Sequence, residues 1–82
     1  MSRKDKLLAR FLSIPTDFTW EEMMALLGQL GYRAEQGDGS RVKMIDVEGN
    51  KILLHRPHPG NIIKKYIMRE VKATLREHGK YG

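Results

Sequence analysis

The chain has 82 residues, no cysteine, and 15 Lys and Arg against 10 Asp and Glu, for a formal charge of +5. A chain of this size holds one core and buries only about 60–65% of the surface it exposes when unfolded. Without cysteine it has neither a disulfide nor a thiolate metal site to staple it, and apolar runs such as "ILL" at 52–54 fall far short of the roughly 20 residues needed to cross a membrane.

The first element expected is a short amphipathic helix over Lys4 to Ser13, where Leu7, Leu8, Phe11 and Leu12 recur at three- and four-residue spacing. Asp5 and Arg10 interrupt its apolar run and no small-residue cleavage site follows, so the segment reads as mature cytoplasmic chain. Pro15 stops it. Thr19 then caps a second helix, with Glu22 three residues on to complete a capping box. Trp20, Met23, Met24, Leu27 and Leu30 form the apolar stripe of that helix, and Gly31 stands where a left-handed residue ends it.

Three strands are expected next. "YRAEQ" (32–36) alternates weakly, and "GDG" (37–39) is a hairpin turn signal, because Asp-Gly adopts positive φ at little cost. "SRVKMIDV" (40–47) points Val42 and Met44 inward and Arg41 and Lys43 outward. "EGN" (48–50) turns the chain again into "KILLHR" (51–56). Connections this short imply an antiparallel meander. A last helix, from about Ile62 to His78, sets Ile63, Ile67, Val71, Thr74 and Leu75 on one side and a basic ridge of Lys65, Arg69, Lys72 and Arg76 on the other. The expected architecture is α+β: a three-stranded antiparallel sheet with helices packed on one face, in the order α-α-β-β-β-α. No repeat or linker divides residues 1–82, which read as a single domain.

Charge is uneven along the chain. Residues 1–30 carry four charges of each sign, whereas residues 59–82 carry six positive and two negative. Such a basic C-terminal part suits a polyanion partner and equally suits a solvated helix face. Just ahead of it lies "LLHRPHPGN" (53–61). Arg56 and His58 each precede a proline and are pushed to extended backbone. Pro57 and Pro59 remove two donors, so this is where a strand leaves its sheet. His55, Arg56 and His58 are thus presented on a stiff segment just before a helix N-terminus, an end that favours anions. Imidazole is also the side chain suited to proton transfer near neutral pH. No third histidine or carboxylate stands at ligand spacing, so neither a metal nor another cofactor is expected. His78 reads as a surface residue at a helix C-terminus.

The helix ending "LLGQLGYR", the turn running into "GSRVKM", the strand ending "LLHRPHPGN" and the basic final helix, in that order, resemble the HicA toxins of bacterial and archaeal HicA–HicB toxin–antitoxin pairs. The resemblance covers roughly residues 19–79 and leaves 1–18 as an N-terminal helical extension. It implies a double-stranded-RNA-binding-domain-like fold and a cytoplasmic mRNA interferase that cuts RNA without a metal. It also implies a protein that is monomeric when free and silenced in a hetero-complex with a HicB-like antitoxin. In many members the Gly-Ser pair opening the second strand is followed by a catalytic histidine. Here Gly39-Ser40 is followed by Arg41, which cannot exchange a proton near neutral pH but can clamp a scissile phosphate. Proton transfer then falls to His58 first and His55 second. Ser40, Arg41, Lys43, Arg56 and the ridge Lys65, Arg69, Lys72 and Arg76 are the expected RNA contacts. Two other readings of the same chain are a non-catalytic double-stranded-RNA-binding module and a protein-interaction module. Single-strand recognition by stacking is disfavoured, because most of the six aromatic residues sit at core-like positions.

Overall fold

A computed structural model describes residues 3–37, 39–57 and 60–81, with only the backbone described for residues 3–5 and 36. Three helices and three strands follow the expected order: α1 (Arg3–Leu12), α2 (Trp20–Gln29), β1 (Arg33–Gln36), β2 (Arg41–Ile45), β3 (Lys51–His55) and α3 (Lys65–Glu77). Among the described residues no helix is long and apolar enough to cross a membrane.

The strands form an antiparallel meander with β2 in the centre. Alternation decides its two faces. Val42, Met44, Ile52 and Leu54 are buried, and they join Phe11, Phe18, Met23, Leu26, Leu27, Met68, Val71 and Leu75 in one core. Their neighbours Arg41, Lys43, Lys51, Leu53 and His55 point the other way. Helix α1, expected as an extension, supplies this same core: Phe11 is fully buried against Phe18, ring centroids 5.6 Å apart.

Helix α2 begins as its sequence requires. Thr19 Oγ1 accepts the Glu22 N–H and Glu22 Oε1 accepts the Thr19 N–H, the reciprocal pairing of a capping box. Glu22 also receives Arg10 of α1 at 2.7 Å, so one carboxylate both caps α2 and ties α1 to it. Arg10 in turn bridges Asp17. Gly31 ends the helix at φ 97°, a conformation glycine adopts without a Cβ clash.

The last helix starts three residues later than its apolar spacing predicts. Residues 61–63 run extended beside residues 18–20: Asn61 O accepts the Trp20 N–H at 2.7 Å and Phe18 O accepts the Ile63 N–H at 2.8 Å. Backbone groups committed to that bridge cannot enter a helix. Ile63 is therefore buried from outside α3, and the helix drives in Met68, Val71 and Leu75.

The C-terminus is latched to the end of the sheet where β2 meets β3. Lys80 Nζ reaches the buried carboxylate of Asp46 at 2.8 Å. That carboxylate also accepts the N–H groups of Glu48 and Asn50. Lys80, with further help from Asn50, holds Asp46 well below the usual carboxylate range.

Candidate active site

The phase of the hydrogen-bond ladder fixes which side chains meet on the open face. Ser40 O accepts the Arg56 N–H and Asn50 O accepts the Asp46 N–H, so the even-numbered residues of β2 bond β3. Arg41↔His55, Lys43↔Leu53 and Ile45↔Lys51 are then the non-hydrogen-bonded pairs. Such pairs bring Cα atoms to about 4.5 Å and their side chains closest. Arg41 and His55 thus stand side by side, both exposed, at the end of the sheet remote from the Asp46 latch.

Around them the open face is basic. Register places Arg33 and Glu35 of β1 beside Ile45 and Lys43. Among the described residues, Arg33, Arg41, Lys43 and Lys51 therefore share this face with His55 against one strand carboxylate, Glu35, which Arg33 approaches at 3.9 Å. Arg33 and Lys51 escape a reading based on charge runs, because strand pairing alone brings them together.

The other expected residues are divided. Ser40 is exposed in the turn before β2, with its carbonyl committed to Arg56. Arg56, one residue beyond β3, turns to the opposite side from His55, its guanidinium 5.6 Å from the centre of the Trp20 ring. There it borders a depression with Glu21, Met24, Gly60 and Asn61. His58, the first choice for proton transfer, lies outside the described residues, as does Pro59. Of the basic ridge, Arg69, Lys72 and Arg76 line a hollow with Ile14 and Tyr81. Lys72 Nζ donates to Leu12 O at 3.2 Å, capping the C-terminal carbonyls of α1. Arg69, Lys72 and Arg76 thus lie on the α1 side of α3, away from the Arg41–His55 pair, while Lys65 is exposed in the first turn of the helix.

Between β3 and the other flank of α3 runs a groove of about 810 Å³. Lys43, Lys51, Leu53 and His55 line it from the sheet, and Tyr66, Ile67, Glu70 and Thr74 from the helix. Leu53 and Tyr66 are 72% and 57% exposed, so two large side chains stay in solvent beside the basic face. Phe11, Phe18, Trp20 and Tyr32 are buried, as expected of most of the aromatics, and Tyr66 is an exception. It lies on α3 about 160° from Met68, a position the apolar stripe does not reach.

A family model described as the HicA toxin of bacterial toxin–antitoxin systems matches residues 20–79. No curated protein and no solved structure matches the chain. The match spans α2 through the end of α3, including the whole sheet with its paired Arg41 and His55. On that match, the chain belongs to the HicA family of toxins from toxin–antitoxin systems.

Proposed function

We propose that this toxin is a metal-independent endoribonuclease acting on mRNA in the cytoplasm, and that Arg41 and His55 form its reactive pair. The observation carrying this reading is their direct opposition across β2 and β3 on the exposed face. An arginine holds the two non-bridging oxygens of a phosphodiester through its planar fork. A neutral imidazole beside it accepts the proton of the neighbouring ribose 2′-hydroxyl. The 2′-oxygen then bonds to phosphorus and the P–O5′ bond breaks. The products are a 2′,3′-cyclic phosphate and a 5′-hydroxyl, whose oxygen takes its proton from the water bathing the open site. Arg41 contributes most where the phosphorane gains negative charge.

Register supports His55, the second choice on sequence, by setting it directly opposite Arg41. Arg41 replaces the family's usual histidine without ending the chemistry, because the proton acceptor sits on the next strand. The exposed face also requires restraint when the toxin is idle. A HicB-like antitoxin covering Arg41 and His55 and converting the free monomer into a hetero-complex fits that need.

The test is cleavage of mixed-sequence RNA in the presence of a chelator by wild type and by His55→Ala, His58→Ala and Arg41→Ala. Loss of cleavage in His55→Ala and Arg41→Ala, with His58→Ala active, is expected. Activity surviving in His55→Ala and vanishing in His58→Ala would move proton transfer to the second histidine. No cleavage by wild type despite salt-sensitive RNA binding would leave a binding module.

A further inference from the structure

Resting on the RNA-cleaving reading, we infer that the β3–α3 groove binds the single-stranded RNA nucleotide next to the scissile phosphate, with its base stacked on Tyr66. Four observations converge. The groove opens beside His55, and His55 is part of its wall. Its sheet side carries Lys43 and Lys51, with Arg41 adjoining through His55, against one carboxylate, Glu70, from the helix. That balance favours a polyanion. Tyr66 presents a half-exposed ring and Leu53 an exposed apolar branch on opposite walls. A ring and an aliphatic side chain set apart in this way can clasp the two faces of a base. Finally, β3 is an outer strand of the sheet. The ladder phase turns the N–H groups of Leu53 and His55 away from β2, along the groove where a phosphate or base edge can accept from them.

A single strand is the occupant that the chemistry selects. Attack by a 2′-hydroxyl needs that oxygen in line with the departing 5′-oxygen, an alignment a stacked A-form helix does not offer. Lys43 and Arg41, two residues apart on β2, are separated by about 6.8 Å along the strand. That is close to the step between successive phosphates of an extended polynucleotide. At about 810 Å³ the groove is within the size range of small-ligand sites, roughly 300–1,000 Å³. Glu70, on the wall with Tyr66, is placed to accept a hydrogen bond from a base amino group.

The experiment is fluorescence anisotropy with a labelled mixed-sequence oligoribonucleotide, 2′-O-methylated so that it cannot be cut. Wild type is compared with Tyr66→Ala, Tyr66→Phe, Lys51→Ala and Arg69→Ala, the last from the ridge facing α1. Circular dichroism and melting show that each variant folds. Tyr66→Ala is expected to bind about tenfold more weakly, as removal of one stacking ring does. Tyr66→Phe stays within about twofold because the ring remains, Lys51→Ala weakens binding, and Arg69→Ala does not. RNA affinity unchanged in both Tyr66→Ala and Lys51→Ala would overturn the assignment and leave the open β3 edge to a protein strand. If wild type binds and cuts RNA, that failure belongs to the groove alone. If wild type binds no RNA, the RNA-cleaving reading fails and the groove assignment with it.

Discussion

Replacing Glu22 by Gln probes the joint between α1 and the family core. The side chain accepts the Arg10 Nε–H at 2.7 Å and the Thr19 N–H at 3.0 Å. These partners, Arg10 first, lower its pKa from 4.5 to about 2. A depressed carboxylate contributes stability that is complete above the unfolded value and is lost as pH falls through the folded one. The window is therefore between about pH 4.5 and 2. The full shift of about 2.5 pH units corresponds to roughly 3.4 kcal/mol. Solvent reaches 36% of Arg10 and 29% of Glu22, and screening reduces an ion pair of that kind to about 1–2 kcal/mol. For a chain this short that amounts to a Tm loss of about 5–15 °C, or about 1 M in urea midpoint. Urea unfolding of wild type and Glu22→Gln from pH 7 to pH 2 measures it. The gap should hold constant down to about pH 5 and close as pH approaches 2, with Asp46 titrating equally in both proteins. A gap of the same size at pH 7 and pH 2.5 would refute the ion-pair argument and leave only packing.

At the alkaline end, burial raises the Tyr32 phenol from 10 to about 12, with the Asp46 charge adding to the shift. A raised pKa gives stability that is complete below pH 10 and lost toward pH 12, so wild type should lose about 1.4 kcal/mol per pH unit in that window relative to Tyr32→Phe. Denaturant titrations of the two proteins at stepped pH would show it, and a constant gap would contradict it. In RNA binding, Lys43→Ala should reduce the slope of log affinity against log salt by about 0.7, one phosphate on a single strand. Arg69→Ala should leave the slope unchanged, and equal losses in both variants would place RNA on both flanks of α3.

Helices and strands were legible where local rules operate alone. The Thr19–Glu22 box, the left-handed Gly31 and the Val42/Met44 alternation each depend on residues only a few positions apart. The start of α3 was not legible, because residues 61–63 are taken by a bridge to residues 18–20, some forty positions earlier. Sequence spacing proposed the chemistry of the site but could not order its parts. The Arg41–His55 pairing depends on strand register, which no local pattern states. Arg56 is adjacent to His55 in the chain yet points to the other side, over Trp20. Tyr66 carries no local signal, because an aromatic off the apolar stripe resembles any surface residue until β3 is set beside it.

The central claim is that His55 moves the proton while Arg41 holds the phosphate. Single-turnover RNA cleavage by wild type and His55→Ala across a pH series, in chelator, tests it most directly. A loss of about 10²- to 10⁴-fold is expected in His55→Ala, together with a pH profile of cleavage that differs from that of wild type. Oligoribonucleotide affinity should stay within a few-fold. A His55→Ala enzyme that cuts RNA at the wild-type rate with the wild-type pH profile would contradict it.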